Sequence, residues 1–158
     1  MTRQQALNEI WKRLLLVLCA AMGAALVAFY YGASGRVGLL VFVIGNIGGY
    51  VSVHRGLSEL KDAEIVEFAG SWWAIIVPPF VGGVLALVLY LLFVSHILAG
   101  DLFPRFELLK GDDCFGLKSL VCHNTEMSGY AKLLFWSFVA GFNQKYVVDI
   151  INSVKAKP

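Results

Sequence analysis

The chain has 158 residues, of which 58% are hydrophobic and 15% charged, and its net charge is +2. That balance excludes an ordinary soluble domain of this size. The basic residues stand singly rather than clustered on one face, which excludes a nucleic-acid surface.

The apolar residues fall in long blocks without the alternation of barrel strands. A hydrocarbon core of roughly 30 Å needs about 20 helical residues, and in lipid each segment must satisfy its own backbone polar groups. The fold class expected is therefore all-α: one polytopic membrane domain, a bundle of four transmembrane helices with one longer extracytoplasmic loop.

Residues 1–13, MTRQQALNEIWKR, are polar and end in an interfacial Trp11-Lys12-Arg13 triplet. Span one is expected over about 14–31, closing with Tyr30 and Tyr31 in an aromatic belt. A basic start before LLLVLCAA also fits a signal peptide, but the apolar run is longer than the usual h-region. A lipobox at Cys19 would want a small residue before it, and Leu18 stands there.

The short link GASGR makes span two, about 37–53, an antiparallel neighbour of span one. Gly45, Gly49 and Ser52, with Gly38 and Gly48 nearby, give span two a small-residue face. Ala20, Ala24 and Ala28 in span one and Gly82 and Ala86 in span three offer similar stripes. Small residues at four-residue spacing let backbones approach, within one bundle or between copies of the chain. Asn46 is the one clearly polar side chain mid-way along span two. It is read as bonding to another helix or, in an oligomer, as ringing a central axis.

The segment 54–71 is expected to be a cytoplasmic loop. Within it Glu59, Asp62, Glu64 and Glu67 outnumber Arg55 and Lys61. Leu57, Leu60, Ile65 and Phe68 share a helical face, so a short amphipathic surface helix is expected there. Span three is expected over about 72–98, with Pro78-Pro79 kinking its first turns or starting a new helix.

Residues 99–129 form the expected extracytoplasmic loop. Its Cys114 and Cys122 could close a small disulfide ring, stay free, or join His123 and Asp112 or Asp113 around a metal. The cysteine spacing does not match the paired-ligand pattern of zinc sites. Span four, about 130–151, ends in FNQKYVVDII. There Asn143, Gln144 and Lys145 would reach the inner membrane boundary, with Asp149 one turn beyond Lys145.

Orientation follows from the positive-inside rule. Arg3, Lys12, Arg13, Arg55, Lys61, Lys145, Lys155 and Lys157 would lie on one side, and Arg36, Arg105, Lys110, Lys118 and Lys132 on the other. The larger group is expected inside, which places both termini in the cytoplasm.

Catalysis has little to stand on. Asp112-Asp113 are adjacent in a glycine-flanked turn, and Ser119 and Ser128 have only His123 as a nearby base. His54 and His96 sit near span ends as interfacial side chains. No span carries a proton-relay succession, and there are no paired broken helices in repeated halves, so a transporter is not expected either. No enzyme activity, cofactor or metal is expected. The partners expected are the lipid bilayer, further copies of the chain and a soluble cytoplasmic protein. That protein would dock on the N-terminal segment, on Glu59, Asp62, Glu64 and Glu67, or on Asn143, Gln144, Lys145 and Asp149.

Two stretches carry a resemblance. FVAGFNQKYVVDII and VPPFVGGVLALVLYLLF are similar to segments of small bacterial inner-membrane proteins of unknown function. In length, four expected spans and sparse soluble mass the chain also resembles the membrane subunit of Kiwa-type anti-phage systems, which is paired with a soluble effector. The resemblance implies a bacterial inner-membrane sensor or scaffold acting in defence, and no site residue is carried over from it. An oligomeric pore that depolarises the membrane is the alternative.

Overall fold

A computed structural model describes residues 3–30, 36–57, 61–108, 123–124 and 126–144. Among them the chain forms five helices: α1 (Arg3–Tyr30), α2 (Arg36–Leu57), α3 (Asp62–Gly70), α4 (Trp72–Val94) and α5 (Met127–Phe142). A two-residue antiparallel pairing joins β1 (Glu107–Leu108) to β2 (His123–Asn124), with Glu107 opposite Asn124.

Among the described residues three helices are long and apolar enough to cross a membrane: Gln4–Val27 within α1, α2 and α4. The chain is thus a largely helical protein with the composition and helix lengths of a membrane protein. The described α5 has 16 residues, a rise of about 24 Å, short of the roughly 30 Å of hydrocarbon. The rest of the expected 130–151 span, from residue 145, lies outside the described residues.

α1 is longer than a span requires. Its 28 residues rise about 42 Å, so the polar segment expected to precede span one is the first part of the same helix. Ala6, Ile10 and Leu14, four residues apart, form a stripe that is wholly buried. They pack with Leu57 of α2, Ile65 and Ala69 of α3 and Ile75 of α4 in one apolar core. Further along, Leu16, Leu26 and Val27 are exposed, as are Ala20 and Ala24. Of the alanine stripe expected to pack span one, Ala20 and Ala24 face away from the bundle.

A second core joins α2, α4 and α5. Val41, Ala86, Leu89, Tyr90, Phe93, Leu133 and Ala140 are buried in it together with Phe106 from the segment after α4. Leu57, the start of α3, the start of α4 and the end of α5 therefore share one end of the molecule with the first turns of α1. The turn after α4 and the start of α5 share the other. There Trp136 Nε1 donates to the Leu102 carbonyl at 3.0 Å, and Lys132 Nζ donates to the Asp101 carbonyl.

α4 stops at Val94, four residues before the expected end of span three. His96 takes a left-handed backbone, φ 56°. Its N–H donates to the Phe93 carbonyl at 3.1 Å, and the Ile97 N–H donates to Leu92 at 3.1 Å. This is a Schellman ending with histidine where glycine is usual. Pro78 and Pro79 do not start a new helix; both lie inside α4.

Candidate functional site

The sequence points to two groups of residues: a small-residue face and a polar end. The structure places them at adjoining levels of the molecule.

Gly45 and Gly49 of α2, Gly82 of α4 and Gly141 of α5 converge where three helices touch through their backbones. A Cβ added at Gly45 would stand 2.6 Å from both the Ala86 Cβ and the Gly82 carbonyl oxygen. One added at Gly49 would stand 2.7 Å from the Pro79 Cα, and one at Gly82 would stand 3.0 Å from the Gly141 Cα. Only residues without a side chain permit this approach, which gives helices in lipid close van der Waals contact along their length. Gly45, Gly49, Gly82 and Ala86 thus face neighbours inside the chain. Ser52 is half-buried beyond them.

Gly48, expected near the small-residue face, joins the same junction, and two further positions, Gly83 and Gly141, escape a reading based on spacing along single helices. A Cβ on Gly48 would meet the Phe138 carbonyl of α5, one on Gly83 the Asn46 amide, and one on Gly141 the Gly45 carbonyl. The signal for Gly48 and Gly83 is the paired form, Gly48-Gly49 and Gly82-Gly83.

Asn46 is 5% exposed. Its Nδ2 donates to the Phe42 carbonyl at 2.9 Å, one turn back on its own helix, rather than to another helix. The amide also borders a water-sized gap with Leu14, Val17, Leu18 and Ala21 of α1, Tyr50 and Pro79.

At the polar end α3 is a defined helix. Glu64 accepts from the Lys61 backbone N–H at 2.9 Å, half of a capping box, and its carboxylate lies in the first turn where the helix dipole favours it. Arg13 of α1 closes the opposite end. Its Nη1 donates to the Ala69 carbonyl at 2.8 Å, and its guanidinium lies 4.6 Å above the Trp72 ring. Cations suit a helix C-terminus because the last carbonyls lack partners. Only Ser71 separates α3 from α4, and its Oγ accepts from the Ala74 N–H at 3.3 Å. Trp11 adds edge contacts to His54, 4.5 Å between ring centroids, and to Tyr50.

The consequence is a fixed platform. The apolar face of α3 is turned inward onto α1, and Asp62, Glu64 and Glu67 are exposed on the other side. Glu64, Glu67, Phe68, Ser71 and Ala74 line an open groove of about 390 Å³. Trp73 beside it is 77% exposed. The N-terminal segment read as a docking surface has spent its apolar stripe on α3.

α5 brings Asn143 and Gln144 to this end. Asn143 is exposed and caps the helix through its N–H to the Val139 carbonyl at 2.8 Å. Gln144 instead crosses to α4, where Nε2 donates to the Pro78 carbonyl at 2.8 Å. Arg55 lies 5.3 Å over the Phe142 ring. Glu59, Lys145 and Asp149 lie outside the described residues, as do Cys114 and Cys122. Among the described residues no group of three or more His, Cys, Asp or Glu could hold a metal ion. No family model, curated protein or solved structure gives a significant match to the chain.

Proposed function

We propose that the chain is a non-enzymatic membrane subunit, a homo-oligomeric sensor or scaffold that recruits a soluble cytoplasmic protein through the acidic face of α3. It sits in a bacterial inner membrane with four spans, the fourth reaching the inner boundary at Asn143 and Gln144, and both termini are cytoplasmic. The resemblance to Kiwa-type membrane subunits extends the proposal to anti-phage defence.

One observation carries this reading. α3 is a short helix anchored on its apolar side by α1 and at its C-terminus by Arg13, and its acids remain exposed. A solvated loop would need no such anchoring. A helix held at a fixed angle presents its charges in a fixed pattern, which lowers the ordering cost of binding. The pore reading draws less support. It would set Asn46 and the glycine face on a central axis, and those residues are occupied within a single chain.

The test is affinity purification of the full chain from detergent extracts of its native host. The soluble product of an adjacent gene should co-purify with it. Reversing Asp62, Glu64 and Glu67 to lysine should abolish co-purification while the membrane protein stays at wild-type abundance. Undiminished co-purification would sink the proposed interface.

A further inference from the structure

The two apolar cores of the chain share α4 but not the same part of it. Ile75 belongs to the core with α1 and α3, whereas Ala86 through Val94 belong to the core with α2 and α5. Pro78 and Pro79 lie between them. Two successive prolines withhold the N–H groups that would bond the Ala74 and Ile75 carbonyls, so α4 crosses this step with two ladder bonds missing. Bends in long helices concentrate at such places.

The neighbouring helices meet α4 at the same level. Gly49 of α2 lies against the proline backbone, where an added Cβ would stand 2.9 Å from the Pro78 carbonyl oxygen. From α5, Gln144 donates to that same carbonyl at 2.8 Å. This is the described polar bond that ties the end of α5 to the proline step.

We infer that Pro78-Pro79 is a hinge between a cap and a bundle, and that the Gln144 amide is the latch holding its present setting. The cap is the start of α1, α3, the first turns of α4 and the last turn of α2 at Leu57, joined through Ser71, Arg13 and the Ile10–Ile65–Ile75 core. The bundle is α4 from Gly82 onward with α5 and the facing part of α2. Breaking the Gln144 bond frees the cap to rock without unpacking the glycine junction, because none of the glycine contacts uses the Gln144 side chain. The device stands whether or not a partner binds α3.

Hydrogen–deuterium exchange of the full chain in lipid nanodiscs tests it. Gln144→Leu removes the donor at similar size. It should raise exchange of amides in 62–77 by at least about fivefold, the factor for loss of roughly 1 kcal/mol, with 82–94 unchanged. The double substitution Pro78→Ala, Pro79→Ala restores the missing donors. It should slow exchange in 72–79 and cancel the Gln144→Leu effect when combined with it. Equal acceleration in 82–94 would make Gln144 a general packing residue and overturn the latch. No acceleration at all would overturn it too, and a Gln144→Leu effect that persists in the alanine background would overturn the hinge.

Discussion

Gly45 of α2 and Gly141 of α5 meet backbone to backbone: a Cβ added to Gly141 would fall against the Gly45 carbonyl oxygen. Backbone cannot rotate away as a side chain can, so even one methyl group must push the helices apart. Overpacking of this kind costs about 1–3 kcal/mol. Gly141→Ala should therefore destabilise the chain by that amount, measured by reversible unfolding in mixed micelles. A change below about 0.5 kcal/mol, the range of neutral surface substitutions, would mean the helices do not touch there.

Gly23 supplies the contrast. It lies in the exposed half of α1, and a Cβ there would meet nothing within 4 Å. Glycine inside a helix costs roughly 0.5–1 kcal/mol relative to alanine. Gly23→Ala should leave stability unchanged or raise it by up to that amount in the same assay. A loss like that of Gly141→Ala would place a close neighbour against α1.

The end of α4 invites an opposite use of glycine. His96 holds φ at 56°, a conformation in which its Cβ crowds the backbone at a cost of about 1–2 kcal/mol. His96→Gly keeps the Schellman hydrogen bonds and removes the crowding. It should stabilise by roughly 0.5–1 kcal/mol once glycine's greater freedom in the unfolded chain is subtracted. Destabilisation would show that the imidazole makes a contact worth more than the strain.

Arg13 is the clasp between α1 and α3. Charged hydrogen bonds contribute about 1.5–3 kcal/mol, but Arg13 is half-buried, and the lower end of that range applies. Arg13→Ala should loosen α3 and raise exchange of its amides roughly tenfold, the factor for 1.4 kcal/mol. Arg13→Lys should restore part of the protection, since lysine keeps the charge but not the planar stacking on Trp72. Exchange unaltered in both variants would show that the apolar core alone holds α3.

The three long helices were legible because a bilayer demands a run of apolar residues, and such runs are local. The amphipathic character of α3 was legible for the same reason, from Ile65 and Phe68 at helical spacing, whereas Leu57, expected on the same face, ends α2 instead. What escaped depends on how far one helix slides along another. Gly83 and Gly141 matter because of the level at which α2, α4 and α5 cross, and no single helix encodes that. Gln144 looked like a membrane-boundary residue, whereas its acceptor lies 66 positions away on a proline carbonyl. The end of α4 was set four residues late because His96 does the work normally signalled by glycine. The stripe of Ala6, Ile10 and Leu14 in the N-terminal segment is buried, and its spacing alone does not name the surface that covers it.

The shared end of the molecule makes a topology prediction that needs no partner. Glu67 on α3 and Asn143 at the end of α5 are both exposed at the end where Gln144 reaches Pro78, and Asp101 is exposed at the other. With the native cysteines at 19, 114 and 122 replaced by serine, single cysteines can be placed at these three positions. A membrane-impermeant maleimide should label Asp101→Cys in intact cells. Glu67→Cys and Asn143→Cys should react only after permeabilisation, because the side richer in lysine and arginine stays in the cytoplasm. Labelling of the latter pair in intact cells, with Asp101→Cys protected, would invert the orientation. Opposite behaviour of Glu67→Cys and Asn143→Cys would be more damaging, because it would separate the two ends that the Gln144–Pro78 bond holds together.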